Sequence, residues 1–397
     1  KTTENKQIIV MDDEFQPYFY VIPKKGQKLS EKIAKLEVEK NPGEISKVTK
    51  TEDLKMNYLD KEVEAIKVFT KLPRDISVIR DVIKEWDSIK SINEYDIPFT
   101  RRYLIDKGIT PLVLLEIEAE PINKKAKVPV FRCIKEKQIL DTTLTKPKIL
   151  AFDIETYNPE GKAINFEKNP IIMLSFYSDN FKKVITWKKF KTSEKYIEFV
   201  ESESQLIEKF KETIEQFKPD IIAGYYSDGF DLPYINTRAV KYKIPLDLGL
   251  DFTDLTITRK PNQHAKISGV IHLDVFKVII KMFSQSLKTD YYDLSSVSEE
   301  LIGEKKLDVE LDQLSHVWDN NPQELEKYCS YNLHDSKLAF NLAEKIMPSI
   351  IEMVKIVGLP MYEITRMGFS QLVEWYLIKQ AKNFKEICLN RPAHEEL

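Results

Sequence analysis

The run Lys148-Ile149-Leu150-Ala151-Phe152-Asp153-Ile154-Glu155-Thr156 constrains this chain more than any other stretch. Its apolar residues feed directly into two carboxylates one residue apart, and on a strand of period-2 alternation Asp153 and Glu155 share a face. Two ionised carboxylates about 4 Å apart repel by roughly 4 kcal/mol at an effective dielectric near 20. Leu150 and Phe152 flank the pair and limit its screening, so a positive partner is expected between the acids. Hard divalent cations such as Mg²⁺ or Mn²⁺ take carboxylate oxygens and keep waters, which suits the pair. Read alone, D-x-E at a strand end equally describes two solvated surface acids, and the other acids must decide.

At 397 residues, with 42% hydrophobic and 11% aromatic residues, the chain has room for two or three domains with ordinary cores. Charged residues reach 31%, yet the net charge of −3 excludes a uniformly basic protein that holds nucleic acid by bulk field. Any polyanion must be held by local patches and bound metal. Cys133, Cys329 and Cys388 are far apart and form no metal-ligand spacing, so free thiols in a reducing compartment are expected. No apolar segment approaches the roughly 20 residues that span a bilayer, and Lys1 begins a polar stretch without a signal-peptide core. A soluble, cytoplasmic (nucleoid-associated) protein with no membrane partner is the expectation.

Strand-like runs over residues 8–11, 17–22 and 63–69, with helices beginning near Glu31 and covering 74–86, predict a small α+β domain at the start of the chain. Residues 105–147 read as a connecting β segment. Strands are then predicted over 149–155, 171–177 and 184–187, close enough for an antiparallel meander. An amphipathic helix over 204–217 follows, with Leu206, Ile207, Phe210, Ile214 and Phe217 on one stripe, and Pro219 stops it. The buried strand at 220–225 is reached by that helical crossover, which implies parallel pairing. Three antiparallel strands, a helix and a parallel strand form the order of an RNase H-like sheet. Runs at 255–258 and 270–273 flank the turn-prone Pro261-Asn262-Gln263-His264 and predict a projecting hairpin. Helices are expected over 291–302 and 322–342, and from 349 to near 382 with a break at Gly358-Leu359-Pro360. The fold class is therefore α/β, a mixed-sheet RNase H-like domain plus an α+β N-terminal domain. The expected divisions are 1–147, 148–347 and a helical segment over 348–397 that packs back on the N-terminal domain.

Two further acidic elements join the first. Tyr225-Tyr226-Ser227-Asp228-Gly229-Phe230-Asp231 places Asp231 where a strand's carboxyl end meets a helix start, where ligands of open α/β sheets gather. A plain helix cap is the competing reading for Asp231. Tyr331-Asn332-Leu333-His334-Asp335 puts Tyr331 and Asp335 four apart on one helix face, which also describes a core-edge aromatic beside a solvated acid. Their conjunction changes the odds: D-x-E on a first strand, F-D after a later parallel strand and Y-x-x-x-D on a downstream helix allow four carboxylates to converge.

In these motifs the chain resembles the DEDD exonuclease domain of family B DNA polymerases, particularly the archaeal replicative type. The aromatic four before the last Asp is similar to the tyrosine-containing branch; five before it stands Ser330. Tyr95-Asp96-Ile97-Pro98-Phe99-Thr100-Arg101-Arg102-Tyr103-Leu104-Ile105-Asp106-Lys107-Gly108 resembles the family's run at the end of its N-terminal domain. Gln371-Leu372-Val373-Glu374-Trp375-Tyr376-Leu377 and Asn390-Arg391-Pro392 resemble its approach to the palm. Two departures stand out. Tyr226 occupies the position where the family usually has Asn, and neither S-L-Y-P-S nor D-T-D-S occurs before Leu397, so polymerisation is not expected of these residues.

The resemblance implies a 3′–5′ proofreading exonuclease using two divalent cations, Mg²⁺ or Mn²⁺, and releasing nucleoside 5′-monophosphates. Asp153, Glu155 and Asp335 would hold the first ion, Asp153 and Asp231 (through water) the second, and Tyr331 would orient the attacking water. Tyr225, Tyr226 and Phe230 are candidates to stack on DNA, for Phe230 against a plain core role. The implied partners are single-stranded DNA and primer-template 3′ ends, the palm, fingers and thumb absent from this chain, and a sliding clamp reached through that absent part. An N-terminal domain that binds the template strand and senses uracil is also implied, with Pro17, Tyr18, Ile76, Ile97, Pro98 and Arg102 at the matching positions. The competing classes are a non-catalytic DNA-binding or scaffolding half of a split polymerase and an RNase H-like endonuclease. Ion pairing of the acids with lysines or arginines would count against the nuclease.

Overall fold

The structure is a computed structural model that describes residues 1–139, 146–159, 161–259 and 263–391. The first part of the chain forms a five-stranded antiparallel sheet in the order Glu37–Asn41, Glu44–Tyr58, Lys61–Thr70, Tyr18–Pro23, Ile89–Asn93. Alternation along Tyr18–Pro23 sends Phe19 and Val21 to a core with Ile79 and Ile83 of the helix Pro73–Lys84, while Tyr18, Tyr20 and Ile22 enter a second cluster. The connecting segment is β as expected: Leu115–Pro121 pairs antiparallel with Val130–Gln138, which pairs in parallel with Ile9–Met11.

A six-stranded mixed sheet carries the acidic motifs. Its strands are β1 (Ile149–Thr156), β2 (Ile171–Ser178), β3 (Phe181–Thr186), β4 (Ile197–Phe199), β5 (Ile221–Gly224) and, after the hairpin β6 (Thr256–Thr258) and β7 (His264–Lys266), β8 (Ile271–Asp274). The order is β4-β3-β2-β1-β5-β8, with β1, β2 and β3 antiparallel and β5 parallel to β1, the RNase H-like arrangement expected from the sequence. Helix α1 (Glu203–Phe217) makes the crossover, and α2 (Asp231–Tyr242) follows β5. Leu150, Phe152 and Ile154 of β1 pack with Leu206, Ile207 and Phe210 of α1. On the opposite face Ile149 and Ala151 meet Leu338, Ala339 and Ala343 of α4 (Leu325–Val357), which follows α3 (Leu294–Ile302).

Three features depart from the sequence reading. The second hairpin arm is β7, paired Thr256↔Lys266 and Thr258↔His264; residues 271–274 instead form β8, parallel to β5. The apolar run at 270–273 belongs to a buried strand at the edge of the mixed sheet, which its apolar pattern cannot tell from a hairpin arm. Pro261 and Asn262 of the expected turn lie outside the described residues. Helix α4 runs unbroken through 342 and 347 with Pro348 inside it, because Ile346, Met347, Ile350 and Val354 are buried along it and outweigh one lost backbone bond. Strand β4 was not anticipated. Helix α4 ends at Gly358, whose φ of +80° is a left-handed cap. After α5 (Phe369–Ala381) the chain returns to the first sheet: Asn57 N donates to Lys385 O at 2.8 Å and Ile387 N to Asn57 O at 2.9 Å. Among the described residues no helix is long and apolar enough to cross a membrane.

Candidate active site

Period-2 alternation places Asp153 and Glu155 on the β1 face that Ile149 and Ala151 turn toward α4. Helix α4 offers Tyr331 and Asp335 to the same space. It is docked there by Ser175 of β2, whose hydroxyl donates to Asn332 O at 2.8 Å and also meets Ser336 Oγ. One carboxylate oxygen from each of Asp153, Glu155 and Asp335 lies within 4.8 Å of the others.

Asp231 arrives from the other side of β1. The ladder to β5 ends at Ala223↔Ala151, and three residues further along β1 the Ile154 N–H donates to Asp231 Oδ1 at 3.3 Å. Gly224 allows the chain to turn there, since a Cβ would lie 2.6 Å from Ser227 Cβ. Asp231 starts α2, where a carboxylate is favoured by the helix N-terminus. It is 3% exposed and stands outside the three-acid cluster while adding its field to it.

Burial followed by the charges of Asp231, Asp335 and Glu155 pushes the Asp153 carboxyl well above its usual range. Burial, then Asp335, pushes Glu155 up to about 8. Burial pushes Asp231 up to about 7, against backbone N–H donors that favour its ionised form. Four acids that resist simultaneous ionisation form a site short of positive charge. Asp153 Oδ2 accepts from Asn332 Nδ2 at 2.7 Å, and Asp335 Oδ2 pairs with Lys306 Nζ at 2.5 Å. Lys306 also donates to the Tyr331 hydroxyl at 2.9 Å. Among the described residues Asp153, Glu155 and Asp231 have no lysine or arginine within ion-pair distance, and the buried Asp335 Oδ1 has no hydrogen-bond partner. An all-oxygen donor set with an orphaned buried oxygen and raised carboxyl pKa values fits a hard divalent cation. Burial and the neighbouring Asp335 raise the Tyr331 phenol, so it stays protonated.

Lys306 and Asn332 escaped the sequence reading. Lys306 lies in the Lys305-Lys306 pair after α3, and nothing in its spacing distinguishes it from a solvated charge. Asn332 lies inside the Y-N-L-H-D motif, where its contact with Asp153 depends on how α4 is rotated.

The aromatic candidates separate. Phe230 packs inward against Phe166 and Tyr234, with centroids at 5.7 and 5.3 Å, and the Tyr225 hydroxyl donates to Tyr292 O. Tyr226 is exposed. In the N-terminal domain the Arg102 guanidinium lies 4.7 Å from the Tyr18 ring and pairs with Glu94 at 2.5 Å. Pro17, next to Tyr18 in sequence, is buried, and Pro98 is exposed. Ile76 packs with the Phe19 cluster instead, and Ile97 against the core around α4.

The profile of the family described as DNA polymerase family B, exonuclease domain, matches residues 90–297. A DNA polymerase of Pyrococcus glycovorans is 33% identical over 386 residues, covering 97% of this chain and 45% of that protein. One from Thermococcus gorgonarius is 30% identical over 387 residues, again 97% of this chain and 45% of the relative. The solved family B DNA polymerase of the hyperthermophilic archaeon Pyrobaculum calidifontis has a TM-score of 0.83 at 23% identity, over 99% of this chain and 49% of that one, a likeness of fold. The chain spans about half the length of these three proteins.

Proposed function

The chain belongs to the family B DNA polymerases, carrying their exonuclease domain, and from that membership we propose that it removes nucleotides from DNA 3′ ends by phosphodiester hydrolysis. The observation that carries this reading is the convergence of Asp153, Glu155 and Asp335 within 4.8 Å beside an unpartnered Asp335 oxygen. Asp153, Glu155 and Asp335 would hold one divalent cation, and Asp153 with Asp231 a second. Bound there, such a pair supplies charge neutralisation at the scissile phosphate and a more acidic water.

The chain's own groups do the rest. Tyr331, protonated at neutral pH, orients the attacking water as a donor and acceptor and does not remove its proton. Lys306, held between Tyr331 and Asp335, keeps that phenol in place and brings a positive charge to the approaching phosphate. Enclosure of the acids favours a single strand, because a terminal nucleotide must leave its duplex to reach them. The N-terminal domain would hold the template strand, with the remaining polymerase portion as the partner of both.

The test is a 3′-labelled single strand with Mg²⁺. Release of nucleoside 5′-monophosphates supports the exonuclease. Binding without cleavage would instead leave a DNA-binding scaffold, and internal cuts an endonuclease. A uracil pocket would centre on the Tyr18–Arg102 contact. Preferential binding of a uracil-containing over a thymine-containing strand, lost in Tyr18→Ala, tests it.

A further inference from the structure

Asn332 is fully buried in α4, and its amide is only half used. Its Nδ2 donates to Asp153 Oδ2 at 2.7 Å, while its Oδ1 has no hydrogen-bond partner. A buried amide oxygen without a partner is destabilising, and a leucine of similar size would bring no such oxygen. The amide is thus a poor choice for packing, and its one side-chain contact is with a carboxylate of the acid cluster.

That contact closes a ring. Asp153 and Ser175 are directly opposed in the β1–β2 ladder. The buried Ser175 hydroxyl lies 3.4 Å from Asp153 O and donates to Asn332 O at 2.8 Å, and the Asn332 side chain leads back to Asp153. A hydroxyl has one proton, so with Ser175 donating to Asn332 the buried Ser336 hydroxyl is the donor in the Ser175–Ser336 contact. Two strands and a helix are fastened together at one acid. Because Asn332 follows Tyr331 and Ser336 follows Asp335, the same ring sets how far along its axis α4 brings those two side chains. The kind of donor matters as much as its place. Lys306 meets Asp335 with a full charge, whereas Asn332 meets Asp153 with a neutral amide. A neutral donor fixes one oxygen and leaves the charge of the carboxylate to a cation.

We propose that Asn332, set in place by Ser175, is a positioning residue for Asp153 and sets how tightly the site takes divalent cations. This rests on the exonuclease reading for what the cations do, but their affinity is measured without DNA.

The experiment titrates Mn²⁺ into chelator-stripped protein by calorimetry and separately follows mononucleotide release as Mg²⁺ is raised. Asn332→Leu weakens Mn²⁺ binding roughly ten- to a hundredfold and raises the Mg²⁺ concentration for half-maximal release by a similar factor. Its melting temperature in chelator stays within about 2 °C of wild type or rises above it. A purely structural role predicts the reverse, a lower melting temperature with unaltered cation affinity. Ser175→Ala acts in the same direction and less, and the double variant binds Mn²⁺ no more weakly than Asn332→Leu, since both act through one contact. If leucine prevents folding, Asn332→Ala removes the donor without adding bulk and carries the same expectation for Mn²⁺. Unchanged Mn²⁺ affinity on loss of the amide, or losses that add in the double variant, refute the proposal, while mononucleotide release by the wild type upholds the nuclease reading. A wild type that binds Mn²⁺ but releases no mononucleotide overturns the nuclease reading and leaves the ring to be judged on the titration. A wild type that binds no Mn²⁺ overturns both.

Discussion

Asp335 divides its two oxygens between opposite fates, one on Lys306 and the other without a partner. The lysine thus neutralises one acid of four, and the remaining deficit of charge is what a metal would fill. Asp153→Ala removes a central ligand, so mononucleotide release should fall to background, at least about a thousandfold below wild type. Its melting temperature in chelator should stay within about 2 °C of wild type, since relief of repulsion offsets the lost Asn332 hydrogen bond. Metal-free protein should also respond to pH in a particular direction. Glu155 and Asp231 titrate near 8 and 7 in the folded state but near 4 when unfolded. Between those values the folded state binds more protons, so stability should decline as pH rises from about 5 to about 8. Denaturant midpoints measured with chelator across that range check it, and a flat or rising profile would contradict it; Mg²⁺ should abolish the decline. Asp153 and Glu155 were legible because period 2 fixes a shared face locally. Lys306 was not, because its role depends on where a loop after α3 comes to rest.

At the level of elements, β5, β8 and the loop to α2 are pinned by charges that no motif advertised. Burial would push the Asp228 carboxyl up, but His272, Arg366 and Lys277 together hold it well below the usual range. Asp228→Asn keeps the shape and removes the charge, leaving two cations beside a neutral amide. It should cost about 2–4 kcal/mol in urea denaturation, with an unchanged slope. An unaltered midpoint would mean that solvent screens the partly exposed Lys277 and Arg366 more than their geometry implies. The crossover α1 and the meander could be read from the sequence because their apolar periods are long and clean. The hairpin could not be read fully: its second arm, β7, is the largely polar His264-Ala265-Lys266, while the apolar run at 270–273 pairs with β5 as β8, a choice made only in three dimensions. The two helices expected over 322–342 and from 349 are one for the opposite reason: Pro348, a strong local helix breaker, is overruled by the buried residues around it.

Across the whole molecule, the first domain and the last described segment are stitched together at Glu94. This residue, itself at φ +60°, pairs with Arg102, accepts from Cys388 N at 2.7 Å and donates its own N–H to Asn390 Oδ1 at 2.7 Å. Glu94→Gln should destabilise the protein by about 3 kcal/mol by leaving Arg102 buried without its counter-charge. It should also expose the segment around 385–391 to limited proteolysis before the mixed sheet is cut; equal protection in both proteins would refute that role. This return of the chain was legible only as a resemblance to a family run, because it joins residues almost 300 apart. Helix α4 has a further mechanical meaning. Its 33 residues form a rod about 50 Å long that bears Tyr331 and Asp335 near one end and meets α5 at the other, where Lys379 Nζ donates to Ile356 O at 3.2 Å. Such a rod acts as a lever: a tilt of a few degrees imposed at Gly358 displaces its distant end by an ångström or more. Whatever the protein docks against beside α5 therefore has mechanical purchase on the spacing of the carboxylates.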